Sequence, residues 1–496
     1  MSSLRRLNRR VALAVILVLL VVAVHNRLSG LRPDATPGDF SAVEAFDELK
    51  PLLAEGVPHP VESAANRVVR DRIIQRFREF GYSPVIQKAR ACSRRRGRCA
   101  NVENIVVLPR NVGPTLSRPR PTERGPSIVL GVAHYDSVPK GPGASDDGSG
   151  VATMLECARM LRNTPSRNPI GFLITDGEEA GLLGAEAFVA DVALSRNVRA
   201  IVNVENRGTS GPSYLFETSA NNRDLVPLFN RLEKPITTSV FYTVYTLLPN
   251  DTDVTVFKRA GKIAVNFAAI GGVRHYHQAT DDLAHVDLRT LQHHGGNALA
   301  MLRALGSADL QHMRHGNDVF FDVLGFFVVW WPDAWTIWIA IASLAVLIVS
   351  TRGVPARDVA IGALMFVAAI AVAAVIGIIA MKVMPRRLAD PGPAVAAMWI
   401  AGIASTLILT GRRPWQGRAF VLHILAIALA VTLPGLSFLF LVPALAMNVP
   451  GRPLVAAPIA AILFFPLGLV LYTALAGLAL PVIAVLLAFA TATFTE

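Results

Sequence analysis

Hydrophobic and polar positions divide the chain into three regimes. Residues 11–24, VALAVILVLLVVAV, form one unbroken apolar run behind Arg5, Arg6, Arg9 and Arg10. No small-residue cleavage site follows, only His25, Asn26 and Arg27. The run therefore reads as an uncleaved anchor of about 18 residues, ending by Leu28, rather than a signal peptide. Its positive flank stays in the cytoplasm and the chain after it is exported. Residues 30–40, with Pro33, Pro37 and Gly38, read as a linker. Helical periodicity then predicts helices over 41–54 and 61–80, the second stopping at Gly81. Six short β-type runs follow: ENIVVLP, SIVLGVAHYD, IGFLITDG, RAIVNVEN, SYLFET and KIAVNFAAI. Helical patterns at 149–162, 181–190, 221–233 and 287–305 lie between most of them. Strands alternating with helices predict an α/β fold with a mostly parallel mixed sheet. Ligands in such sheets sit beyond the carboxyl ends of the strands. His134, Glu178 and Glu205 fall there.

After His315 the pattern changes. Residues 319–331, VFFDVLGFFVVWW, read as interfacial, with Trp330 and Trp331 at headgroup depth. Apolar segments run at about 334–350, 359–381, 393–410, 419–441, 453–472 and 475–493, several near the roughly 20 residues that span a bilayer. Pro434 lies within a long apolar run that is either one kinked helix or two short ones. His423 is placed near a span end. The expected organisation is an anchor in residues 1–29, a linker over 30–44, a catalytic-type domain over 45–315 and a multispan helical region of about six helices over 316–496. The loops 351–358 and 411–418 carry arginines and few acids, which places both inside.

Composition sharpens this. A chain of 496 residues, 52% hydrophobic, is too long and too apolar for one soluble domain. The net charge of +12 sits largely beside apolar segments, at Arg352, Arg357, Arg412, Arg413 and Arg418 as well as at the N-terminus. That is a topology signal; no aromatic-interleaved basic motif supports a nucleic-acid partner. Of three cysteines, Cys92 and Cys99 bracket an arginine-rich, hairpin-like SRRRGR, and Cys157 lies in the apolar pattern of a helix. In an oxidising compartment the first two can close a small loop; the alternative is two unrelated thiols.

The chemistry concentrates between Gly131 and Glu179. His134 and Asp136 (AHYDS), Asp146 and Asp147 (GASDDGSG), and Asp176, Glu178 and Glu179 (ITDGEEAGLLG) reach three successive strand or loop ends. Glu205 ends a later strand, and His277 lies in the loop RHYHQATDD. Imidazole nitrogen and carboxylate oxygen suit zinc, and a free glutamate can serve as base. One metal would take His134, Asp146 and Glu205; a second would take Asp146, Glu179 and His277. Glu178 remains as general base, and Asp136 orients His134. Singly each motif has a bland reading: a helix N-cap for DDGSG, a solvated loop for GEE, a surface histidine for His277. Together, at successive strand ends, they do not.

These residues resemble the di-zinc exopeptidase family that includes leucyl-type aminopeptidases and glutamate carboxypeptidase. The matching pieces are AHYDS, PGASDDGSG, ITDGEEAGLLGAEAF, IVNVEN and HYHQATDD. More narrowly, HPVESAANRVVRDRI, NRGTSGPSYLFET and NDTDVTVFKRAGKIAVNFA are similar to its membrane branch, of the endoplasmic reticulum metallopeptidase and vacuolar membrane protease type. The resemblance implies a three-layer α/β/α zinc exopeptidase domain. It implies two zinc ions on His134, Asp146, Glu179, Glu205 and His277, with Glu178 and Asp136 catalytic. Glu205 stands where many soluble members have Asp, Gln278 where Thr is usual, and His275 competes with His277. The implied activity is a membrane-anchored aminopeptidase acting on peptide substrates. The alternatives are a single-zinc glutaminyl cyclase-like acyltransferase and a non-catalytic membrane receptor on a peptidase fold. Tyr242, Tyr245 and Asn250 border the site in this reading. Composition suggests a bacterial inner-membrane protein with a periplasmic domain; a eukaryotic lumen is the alternative.

Overall fold

In the computed structural model, the residues described are Pro33, 38–93, 96–109, 126–247, 250–383, 397–398, 408–409, 415–448 and 482–486. The expected anchor, the apolar segments at 453–472 and most of 475–493, and most of 393–410, lie outside them. The described chain divides into two compact units, with the break between Trp330 and Trp331.

The first unit opens with α1 (Ala42–Leu52) and α2 (Ala64–Glu79), close to the expected spans. Ser41 and Ser63 cap them by accepting from the backbone N–H groups of Glu44 and Asn66. The strands β1 (Val85–Ser93) and β2 (Arg98–Val107) form an antiparallel hairpin. Then come β3 (Ile128–His134), α3 (Gly150–Leu161), β4 (Ile170–Thr175) and α4 (Leu183–Ala190). They are followed by β5 (Val198–Asn206), β6 (Tyr214–Thr218), α5 (Ser239–Leu247), α6 (Asp253–Arg259), β7 (Ile263–Ala269) and α7 (Leu288–Ser307).

The seven strands order as β1-β2-β4-β3-β5-β7-β6. β4, β3, β5 and β7 are mutually parallel, and the strands on either side are antiparallel. One face carries α1, α2, α3 and α7 over a large apolar core, and the other carries α4 and α6. Covered on both faces, the parallel strands are continuous apolar runs; every residue of β3 is buried. The mixed, mostly parallel sheet between helical layers is the expected fold class. Gly295, inside α7, lets the Phe40 ring lie against the helix, because a Cβ there would come within 2.0 Å of it. Gln292 bonds the backbone on both sides of the Ser41 cap, pinning α1 to α7.

Several local expectations are overturned. Residues 221–233 form two short 3-10 pieces, Asn222–Asp224 and Val226–Arg231, rather than one α-helix. Pro227 lacks an N–H there, and the Asn221 and Asn222 side chains accept from Gly316 and Asp318, tying the segment elsewhere. β1, α5 and α6 were not expected. The β-branched and aromatic run SVFYTVYTL is helical as α5, tertiary packing overriding propensity. Residues 319–331 contribute to a hairpin, β8 (Asp318–Val323) and β9 (Phe327–Pro332), turned by Leu324 and Gly325, both at positive φ.

The second unit contains α8 (Asp333–Ser350), α9 (Ala356–Val383), α10 (Trp415–Thr432) and α11 (Pro434–Met447). The first three are long and apolar enough to cross a membrane. The run through Pro434 is two helices, since proline cannot extend the helix before it. His423 is not near an end. It is buried inside α10, with its Nε2 2.7 Å from Ser343 Oγ.

Candidate metal centre

The ligand candidates reach one place because parallel strands point the same way. His134 ends β3, Glu178 and Glu179 follow β4, and Glu205 lies at the end of β5. Asp146 comes from the loop leading into α3, and His277 from the loop after β7. His134 Nε2 lies 3.3 Å from both Asp146 Oδ1 and Glu205 Oε1. His277 Nε2 lies 3.2 Å from Asp146 Oδ2 and 2.9 Å from Glu179 Oε1. Asp146 thus faces both trios, one oxygen to each.

The second trio is close without being hydrogen-bonded. Asp146 Oδ2, Glu179 Oε1 and His277 Nε2 are all buried, and none has an aligned partner among the described residues. Three electron-pair donors aimed at a common point, and not at each other's protons, suit a shared cation. The donor set of two imidazoles and three carboxylates fits zinc at both positions.

Electrostatics point the same way. With protons alone to neutralise the cluster, burial and then the neighbouring Asp146 charge push Glu179 up to about 7. Burial, only partly offset by His134, does the same to Glu205, again to about 7. Burial opposes protonation of His277, but contacts with Asp146 and Glu179 overcome it and raise it to about 10. Burial would also raise Asp146, yet the adjacent imidazoles of His134 and His277 hold it below the usual carboxylate range. Glu178 is pushed well above the ordinary glutamate value, chiefly by burial. No hydrogen bond or ion pair from a described residue occupies its carboxylate.

The supports are partly unexpected. His134 Nδ1 lies 3.0 Å from the backbone oxygen of Asp136 and 3.5 Å from its carboxylate. The Asp136 carboxylate instead accepts the backbone N–H groups of Glu178 at 2.9 Å and Glu179 at 3.2 Å. It therefore sets the turn that presents both glutamates. Asp281 does the same for the other loop, accepting from the N–H groups of Ser145 and Asp146. Asp147 accepts from the N–H groups of His134 and Gly150. Sequence reading did not single out Asp281 for this, although the doublet in QATDD marked it. His275 is not a rival ligand: its ring nitrogens face Thr280 Oγ1 and Arg274 Nε.

Two tyrosines complete the rim. Tyr276 was missed; its ring stacks on His277 at 3.7 Å between centroids. Burial, and then the charges of Asp146 and Glu179, raise its phenol. Tyr245, on α5, has a buried hydroxyl without an aligned partner and sits edge-on to Phe216. Burial raises it too, and the field of Glu205 and Glu178 reaches it. Tyr242 faces Lys258 instead. Asn250 is half-buried between α5 and α6.

Beside the site, Cys92 and Cys99 are paired in a disulfide across β1 and β2. At the tip of that hairpin, Arg96 donates to the backbone oxygen of Glu179. Cys157 is free and buried, as expected.

Residues 111–302 match the model of Peptidase family M28. Over 243 residues the chain is 31% identical to endoplasmic reticulum metallopeptidase 1 of Mus musculus and of Homo sapiens, covering 47% of this chain and 26% of each relative. It is 33% identical over 177 residues to the vacuolar membrane protease of Candida dubliniensis, covering 35% of this chain and 19% of that protein. The chain thus spans about a quarter of the length of the curated relatives it matches. Among solved structures it is similar to a glutaminyl cyclase of Porphyromonas gingivalis, at 20% identity and TM-score 0.43, covering 54% of this chain and 99% of that one. It is similar also to BSAP, a zinc aminopeptidase from Bacillus subtilis, at 17% identity and TM-score 0.42, covering 55% and 97%.

Proposed function

From a segment that matches peptidase family M28 and carries all five ligand candidates, we propose that this chain is a membrane-anchored di-zinc peptidase, and specifically an aminopeptidase. The observation that carries the reading is the single carboxylate of Asp146 facing two pairs, His134 with Glu205 and His277 with Glu179. A lone structural metal needs no such bridge. Bound there, two zinc ions would supply Lewis acidity toward a peptide carbonyl and toward the water that attacks it.

The chain's own residues supply the rest. Glu178, unclaimed by any described neighbour, accepts the proton of the attacking water at its carboxylate and delivers it to the leaving amine. Asp136 fixes the backbone so that Glu178 and Glu179 face the same cavity with different tasks. Tyr276, stacked on His277, sets a phenol ring beside that ligand position.

The three long apolar helices support residence in a membrane. We propose an inner membrane of a bacterium with this domain on the periplasmic side, or a eukaryotic membrane with it in the lumen; the Cys92–Cys99 pair is consistent with the oxidising compartment that either offers. The test is metal content of the purified full chain, together with hydrolysis of a panel of aminoacyl amides. About two zinc ions per chain with amide hydrolysis is expected. One zinc ion with cyclisation of N-terminal glutamine would replace this reading with a cyclase, and no metal at all would end it.

A further inference from the structure

Most half-buried cations of the first unit have a described acceptor: Arg76 pairs with Glu48, Arg223 with Asp318, Lys258 with Glu217, and Lys262 donates to the backbone oxygen of Ser195. Arg207 does not. It is half-buried, stands two residues after Glu205 and forms no ion pair with a described residue. Its Nε is buried with no hydrogen-bond acceptor. A guanidinium nitrogen withdrawn from water without an acceptor is costly, and a ligand that supplies an anion would remove that cost.

Its position is fixed. The Arg207 N–H donates to Ala269 O at 2.9 Å, continuing the β5–β7 ladder beyond the strand end. The next residue, Gly208, packs so closely on the loop after β7 that a Cβ would fall 2.1 Å from Gly271 O. The guanidinium carbon lies 5.7 Å from the centre of the Tyr276 ring, whose other neighbour is the stacked His277 imidazole. The cation therefore stands one aromatic ring away from the His277 ligand position. The two distances put the guanidinium carbon within about 10 Å of the His277 ring, a span of up to about three residues of extended peptide at about 3.3–3.6 Å each.

We propose that Arg207 is a specificity residue that binds a substrate carboxylate just beyond the scissile bond. The inference rests on the peptidase reading above. The planar fork of a guanidinium matches a carboxylate in two parallel hydrogen bonds, a geometry an ammonium does not reproduce. The carboxylate can be the free C-terminus of a dipeptide or the side chain of an acidic residue following the cleaved bond.

The test compares the full-length wild type with Arg207→Met and Arg207→Lys on three substrates: Ala-Ala, Ala-Ala amide and Ala-Glu amide. Wild type is expected to favour a carboxylate-bearing substrate over Ala-Ala amide. In Arg207→Met that preference in kcat/KM should fall about 10- to 100-fold, mainly through KM, and Arg207→Lys should recover part of it. Loss of preference for Ala-Ala alone identifies the C-terminus as the recognised group, and for Ala-Glu amide alone, the side chain. An unchanged preference, or an equal loss on all three substrates, overturns the proposal; the latter would make Arg207 a prop for Tyr276. A second measurement does not depend on turnover. In Glu178→Gln protein, calorimetry should show Ala-Ala or Ala-Glu amide binding more tightly than Ala-Ala amide, an advantage that Arg207→Met removes. Arg207-dependent binding without any wild-type hydrolysis would sink the peptidase reading and leave this inference standing. Hydrolysis without discrimination would do the reverse.

Discussion

At the scale of single residues, the centre separates atoms that would hold metal from atoms that hold the holders. Glu178 and Glu179 are neighbours in sequence with opposite surroundings: Glu179 closes on His277, and Glu178 is left open. Glu178→Gln keeps the shape and removes the base. It should lower kcat by about two to four orders of magnitude while zinc content is unchanged; a fully active variant would refute the assignment. Asp281→Ala removes the carboxylate that fixes the N–H groups of Ser145 and Asp146. Zinc affinity, read by chelator competition, should weaken about 10- to 100-fold. That His134, Asp146, Glu179, Glu205 and His277 would meet was legible in the sequence, because strand ends in an α/β sheet converge. Asp281 and Tyr276 were not, since their tasks depend on how the loop after β7 folds back. The division of labour within Asp136 was hidden for the same reason. A carboxylate two residues from a histidine suggests a partner for the ring; here it lies 3.5 Å from His134 Nδ1 and also serves two backbone amides of another loop.

At the scale of elements, α7 and the β1–β2 hairpin each carry a consequence. His293 and His294 are fully buried in α7. His293 Nδ1 accepts the N–H of Ser213, and its Nε2 lies 2.9 Å from Lys234 O. His294 bonds Ser213 Oγ and Asn206 Oδ1. Burial lowers them to about 4 and about 3 from 6.5. Between those values and 6.5 the unfolded chain binds protons that the fold refuses. Stability is therefore present above pH 6.5 and falls as pH drops toward 4, each tenfold difference in proton affinity being worth about 1.4 kcal/mol. Thermal midpoints across that range should show the slope, and His294→Asn should flatten it. In the hairpin, the disulfide holds the tip that places Arg96 against Glu179. Arg96→Ala should lower kcat/KM about fivefold, the worth of one ordinary hydrogen bond. Double replacement of Cys92 and Cys99 by serine should match that loss; identical activity in both variants and wild type would show the tip to be irrelevant. The sequence marked the hairpin through its arginine-rich turn but not β1 itself, whose alternation is interrupted by Gln87 and Arg90. The 3-10 pieces after β6 went unread because their tethers lie on residues 316–318, far along the chain.

At the scale of the molecule, the sheet order places β4, β3, β5 and β7 side by side, with antiparallel strands outside them. Metals seated at their ends would join four segments remote in sequence. Saturating zinc, at about a thousand times its Kd, should then stabilise the domain by about 4 kcal/mol. Chelation should lower its thermal midpoint by roughly 2–4 °C for each kcal/mol lost; an unmoved midpoint with metal demonstrably removed would contradict the proposed ligand set. The same topology has a consequence for the cell that makes this chain. Contacts between distant segments close late in folding. The His277 loop can meet Asp146 only after β7 has docked on β5, the last of the parallel pairings to be translated. A chain translated past His277, with β7 not yet docked, would hold every side chain of the proposed centre and still be inert. Latency of this kind needs no propeptide: the order of assembly itself would keep the hydrolase silent until it is whole.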